Sequence, residues 1–151
     1  MWSVNALNNA NSLPVKHIAL VVNELWKRSE MRVAIVGSRN IDDSHYVFPY
    51  IARFIKEHTF GSVTIVSGGA KGVDSLAKEY AKQNGLDFIE FQPCHVLDKA
   101  IPFEKKYFFM RNRQIIDNCD KVLAFWDGVS SGTEHAIKYA QKHNKPVMII
   151  K

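Results

Sequence analysis

From Met31 onward the chain repeats one unit: a short unbroken apolar run, a glycine or serine break, then a segment with helical apolar spacing. Arg32–Val36, Val63–Val66, Asp87–Phe91, Lys121–Trp126 and Val147–Ile150 read as strands. Between them, Ser44–Glu57, Val73–Gln83, Phe103–Asn118 and Gly132–His143 carry apolar residues three and four apart and read as helices. Asn84-Gly85 stops the second of these, and a longer loop, about Cys94–Pro102, precedes the third. Strand–helix alternation means parallel strands joined by crossovers. Strands that are apolar throughout, rather than at every second position, are covered by helices on both faces. The expected fold is therefore α/β: a Rossmann-like three-layer α/β/α domain with a mainly parallel five-stranded sheet in the order 3-2-1-4-5.

Residues 1–30 read differently. Asn5, Asn8, Asn9, Asn11 and Ser12 form a polar start with no period. After Pro14, about Val15–Lys27 has Ile18, Val21, Val22, Leu25 and Trp26 at helical spacing. The expected organisation is an N-terminal extension, 1–30, followed by one domain, 31–151. The extension is either an extra helix docked on the domain or a stretch upstream of a true start at Met31.

Composition narrows the function classes. Of 151 residues, 46% are hydrophobic and 23% charged, a globular balance that argues against wholesale disorder. The formal charge of +5 is spread along the chain, and lysines at 71, 78, 82, 138, 142 and 145 fit solvated helix faces. No apolar run approaches the roughly 18 residues a membrane span needs, and the N-terminus lacks the basic start of a signal peptide. Cys94 and Cys119 are too few and too far apart for a disulfide framework, which favours a reducing compartment. A cytoplasmic protein with no membrane partner is expected, with Cys119 a buried thiol. No His, Cys or carboxylate cluster has metal-ligand spacing, and no metal or cofactor is expected.

Three loops at strand ends carry the chemistry. The first is Gly37-Ser38-Arg39-Asn40, the second Ser67-Gly68-Gly69-Ala70-Lys71-Gly72-Val73-Asp74, and the third Asp127-Gly128-Val129-Ser130-Ser131-Gly132-Thr133-Glu134. Each leads into a helix, whose first turn offers unpaired N–H groups and about half a positive charge. Glycine permits close backbone approach, and serine and threonine hydroxyls add donors for phosphate oxygens. In the order 3-2-1-4-5 the reversal falls between the first and fourth strands, where all three loops converge. Arg111, beside Asn112, would grip phosphate or ribose through its fork of donors. Asp74 would accept from a ribose hydroxyl or open its helix. Glu134, in the first turn of the last helix, complements the helix dipole and is also a candidate carboxylate.

The stretches "VAIVGSR" at 33–39, "VSGGAKGVD" at 66–74, Arg111-Asn112, and "AFWDGVSSGT" at 124–133 together resemble the SLOG superfamily, in particular its small stand-alone branch. That superfamily includes the lonely-guy phosphoribohydrolases, the DNA-processing protein A fold and sensors of nucleotide-derived signals. The resemblance covers about 31–151. It implies a Rossmann-like sheet with a nucleotide-like small molecule at the loops, Gly68, Gly69, Gly132 and Thr133 facing phosphate, and a homodimer. Lonely-guy enzymes place two acidic residues one position beyond their loop threonine. Here His135 and Ala136 stand at those positions, while Glu134 directly follows Thr133. One residue along a helix turns a side chain by about 100°, away from the scissile bond of such an enzyme.

Three functions follow, in order. The first is a sensor or binding module for a nucleotide-derived phosphate ligand. The second is an N-glycosidase of the phosphoribohydrolase type, with Glu134, Arg111 and Asp74 as catalytic candidates. The third is single-stranded DNA binding, for which Lys105-Lys106-Tyr107-Phe108-Phe109 offers basic and aromatic residues. Helical spacing places Phe103, Tyr107, Met110 and Gln114 on one face, so packing into the core is the simpler expectation for them.

Overall fold

The computed structural model describes residues 13–151; the polar start, 1–12, lies outside the described residues, as do the side chains of Leu25 and Trp26. A helix, α1 (Leu13–Arg28), precedes the alternating units. These run β1 (Glu30–Gly37), α2 (Ser44–His58), β2 (Ser62–Gly68), α3 (Val73–Gln83) and β3 (Asp87–Phe91). They continue with α4 (Cys94–Leu97), α5 (Lys106–Asp117), β4 (Lys121–Phe125), α6 (Ser131–Lys142) and β5 (Val147–Ile150). All four strand pairings are parallel, in the order β3-β2-β1-β4-β5. The expected fold class and strand order are those observed.

Period-two alternation divides each central strand between two cores. Val33 and Ile35 of β1, Ile65 of β2 and Leu123 and Phe125 of β4 pack against α2 and α3. Ala34, Val36, Val66, Val122 and Ala124 face the other way, onto Ile115 and Ile116 of α5 and Ala136, Ile137 and Ala140 of α6. Both faces are covered, which is why the strands are apolar throughout. Cys119 is buried in the second core; its thiol donates to Ile116 O at 3.2 Å, and burial pushes its pKa up to about 11.

Local chemistry fixes the element ends. Asp43 accepts from His45 N at 2.9 Å and caps α2. Asn84 closes α3, and Gly85 follows at φ 63°, where glycine carries no Cβ penalty. The Cys94–Pro102 loop contains the single turn α4, and α5 begins at Lys106, three residues later than the sequence suggests. In α1, Val15, Ile18, Leu20, Val21 and Val22 are exposed. Among the described residues no helix is long and apolar enough to cross a membrane.

Candidate functional site

The carboxyl ends of β1, β2 and β4 meet where the strand order reverses, and a cleft of about 490 Å³ opens there. That volume lies within the usual range for small-molecule sites. The loops around it are bonded to one another. Ser38 N donates to Phe125 O at 3.0 Å, and Asp127 N donates to Ser38 Oγ at 3.2 Å, joining the first and third loops. Ser67 Oγ donates to Ile35 O at 2.6 Å, joining β2 to β1. Asp127 Oδ1 accepts from Val129 N at 3.0 Å and Ser130 N at 2.8 Å; these bonds hold its carboxyl below the usual range.

Two glycines serve this meeting of loops. A Cβ on Gly37 would strike the Val73 side chain and lie 2.8 Å from Phe125 O. Gly72 has φ 76°, and a Cβ there would lie 2.6 Å from the carbonyl oxygens of both Ser38 and Arg39. Gly68 has another use: the volume of its absent side chain is taken by the Arg111 guanidinium and the Asp74 carboxylate, which flank it. Beside Gly69 lies the Gln92 side chain. Around Gly132 a Cβ would meet nothing within 4 Å, so this backbone is open to the cleft.

Helix α5 supplies the cation. Its buried residues are Arg111, Asn112, Ile115 and Ile116, the i, i+1, i+4, i+5 pattern of one helical face. Ile115 and Ile116 anchor that face in the core, so the turn before them projects Arg111 and Asn112 over the strand ends. Arg111 is 7% exposed. Its Nε donates to Asn112 Oδ1 at 3.2 Å, and Nη1 makes a long contact to Phe91 O at 3.5 Å. Asn112 Nδ2 in turn donates to Gly132 O at 3.0 Å. A polar chain thus runs from the guanidinium to the first turn of α6.

That first turn is bare. Among the described residues, the N–H groups of Ser131, Gly132 and Thr133 find no acceptor, and Ser130 gives α6 no side-chain cap. Such a terminus attracts anions. The Asp74 carboxyl faces the same cleft, 6% exposed, with Oδ2 accepting from Ala70 N at 3.3 Å. Burial pushes its pKa up to about 6, against the opposing pull of Arg111, the Ala70 amide, the neighbouring Ser67 hydroxyl and Arg39. No guanidinium or ammonium lies within 4 Å of it among the described residues.

Phe103, Lys105, Phe108 and Phe109 complete the cleft. Phe103 is 64% exposed and lies ahead of α5, while Met110 and Gln114 lie on its solvent side; the expected core packing of Phe103, Tyr107, Met110 and Gln114 is therefore corrected. The helical-spacing argument failed because α5 starts after Phe103 and turns Arg111 and Asn112 inward instead. Arg39 lies over the Phe108 ring at 5.2 Å, and Arg111 at 5.9 Å, both within cation–π range. Arg39, Phe108 and Arg111 also wall a second hollow of about 360 Å³, which includes Gly69 and Lys71.

The structure gathers Gly37, Arg39, Asp74, Arg111 and Asn112 around the main cleft, together with the Ser130–Thr133 backbone. Ser38, Ser67 and Asp127 brace the loops instead of lining it. Gly128 takes φ 82° in the turn. Glu134 is absent from the lining and pairs with Lys138 at 2.6 Å on the same helix. Sequence reasoning placed Asn40 and Gly72 in the loops and Lys105–Phe109 in a DNA-binding reading, but did not assign Phe103, Phe108 and Phe109 to the same cleft as the loops. For the rim, the basic and aromatic run Phe103-Glu104-Lys105-Lys106-Tyr107-Phe108-Phe109 just before Arg111 was the available signal.

A Rossmann-like sheet with this convergence of loops defines a class of ligand-binding module, and the chain belongs to the SLOG superfamily: the profile of the YspA, cpYpsA-related SLOG family (YAcAr) matches residues 31–95. Within that class the chain is 35% identical over 121 residues to the Gene 61 protein of Mycobacterium phage D29, spanning 78% of this chain and 94% of the phage protein. Among solved structures it is similar to DNA processing protein A from Helicobacter pylori, a protein with a single-stranded DNA binding mode, at a TM-score of 0.62 and 24% identity. That match covers 84% of this chain and 68% of the other. DNA processing protein A from Streptococcus pneumoniae gives a TM-score of 0.63 and 25% identity, covering 85% of this chain and 52% of the other.

Proposed function

We propose that the protein binds a nucleotide or nucleotide-derived phosphate ligand in the cleft at the reversal point of the sheet, as a binding or sensing module. One observation carries this reading: a buried guanidinium with unspent donors and a bare helix N-terminus border the same cavity, linked through Asn112. Burying the Arg111 guanidinium costs several kcal/mol unless an anion or a set of acceptors compensates. Among the described residues only Asn112 and Phe91 accept hydrogen bonds from it, while the Asp74 carboxyl stands nearby without closing an ion pair. An incoming phosphate meets the donor set of Arg111 and the α6 amides together, and the exposed Phe103 ring lies at the cleft to receive a base.

The test is calorimetry and thermal shift with AMP, ribose 5-phosphate, ADP-ribose and NAD, on the wild-type protein and on Arg111→Met. A ligand present at 100 times its Kd raises stability by about 2.7 kcal/mol. Binding by wild type and its loss in Arg111→Met is the expected result. Release of adenine during the assay would convert the reading to N-glycoside hydrolysis. Asp74 would then be its carboxylate, since Glu134 lies outside the cleft lining. Absence of any response would overturn the proposal.

Exposed Phe103 beside Lys105 and Lys106 favours a second reading, single-stranded DNA, which also accords with the H. pylori relative. A steep salt dependence of oligonucleotide binding, with no response to mononucleotides, distinguishes it.

A further inference from the structure

The buried Asp74 carboxylate is not needed to bind phosphate. It repels an anion, and its position is held by the first turn of α3 and by the Ala70 amide. Among the described residues the bond from Ala70 N is the one hydrogen bond it receives, with the Ser67 hydroxyl and Arg111 near enough to favour its charged form. Ala70 N reaches only Oδ2; the single hydroxyl proton of the adjacent Ser67 goes to Ile35 O at 2.6 Å; and Arg111, across Gly68, does not close an ion pair with it. The free lone pairs open onto the cleft, because Asp74 lines it despite being 94% buried, from a relative exposure of 6%. An ionised carboxylate accepts only, so whatever satisfies it brings hydrogen-bond donors. A cationic amine is disfavoured by Arg39, Lys105 and Arg111 around the same cleft. Neutral donors remain, and the paired hydroxyls of a sugar match its two oxygens.

On the reading that the cleft holds a nucleotide, we infer that Asp74 selects the sugar: its two oxygens receive the 2′- and 3′-hydroxyls of a ribose, so the ligand is a ribonucleotide with a free cis-diol. The phosphate then lies toward Arg111 and the α6 amides, the base toward Phe103, and the sugar beside Asp74. A site whose buried acceptor awaits a hydroxyl rejects the analogue without one more sharply than an apolar pocket rejects a missing methylene.

The experiment measures affinity of the full chain for AMP, 2′-deoxy-AMP, 3′-deoxy-AMP and 2′,3′-dideoxy-AMP by calorimetry at pH 7.5, in wild type and in Asp74→Asn. Wild type is expected to bind AMP about tenfold or more tighter than the dideoxy analogue, as loss of hydrogen bonds to a charged group implies. In Asp74→Asn the discrimination is expected to shrink to about threefold or less, since the amide carries no full charge. Equal binding of all four by wild type overturns the sugar assignment while leaving the nucleotide reading intact. A uniform loss across all four in Asp74→Asn, with discrimination retained, also overturns it and marks Asp74 as a partner of Arg111 only. Binding of none of them by wild type defeats both readings. The wild-type series stands even if the variant fails to fold.

Discussion

Replacing Asp74 by asparagine is expected to stabilise the empty protein at neutral pH. The carboxyl has a pKa near 3.8 in an unfolded chain and about 6 in the folded one, because burial penalises its charged form more than Arg111 and the Ala70 amide favour it. The folded protein therefore holds the proton more tightly than the unfolded chain between these values, and stability falls as pH rises through that window. Above pH 6 the penalty is complete; below 3.8 it is absent. A rise of roughly two units corresponds to about 3 kcal/mol at about 1.36 kcal/mol per unit. Asparagine keeps the size and an oxygen for Ala70 N but never ionises, so it escapes the penalty. Urea denaturation of both proteins at pH 7.5 and pH 4 reads the difference. Asp74→Asn should be more stable by about 2–3 kcal/mol at pH 7.5, a Tm gain of roughly 6–10 °C, with most of the gap gone at pH 4. An equal difference at both pH values, or a destabilised variant at pH 7.5, would refute the reasoning.

Three other outcomes are expected. Gly72→Ala should lower stability by about 3 kcal/mol in urea denaturation, since its φ of 76° and the two carbonyls 2.6 Å from the new Cβ leave no relaxed position. Asn112→Ala should weaken AMP binding about tenfold in calorimetry, by cutting both the Arg111 contact and the bond to Gly132 O, with the circular dichroism spectrum unchanged. Glu134→Gln should leave AMP affinity within about twofold, because this side chain pairs with exposed Lys138 away from the cleft, and an exposed pair of this kind contributes little.

The two-sided parallel sheet was legible because unbroken apolar runs and glycine stops report directly on it. Val73–Gln83 could be bounded to the residue, since a glycine stands on either side of it. Arg111 and Asn112 were visible as a pair, yet their burial was not: only the tertiary anchoring of Ile115 and Ile116 turns them inward. Phe103 misled for the reciprocal reason. Its spacing matched a helix that does not extend to it, and a spacing rule carries no information about where a helix begins. The roles of the glycines divide in a way sequence does not mark. Gly37 and Gly72 admit other loops, Gly68 admits two charged side chains, and Gly132 stays open.

The bracing of the loops by Ser38, Ser67 and Asp127 separates what holds the crevice from what fills it. The framework bonds run backbone to short side chain and do not involve the rim at Phe103, Lys105 and Phe109. Substitution along that rim can therefore change what the crevice holds without rebuilding its foundation.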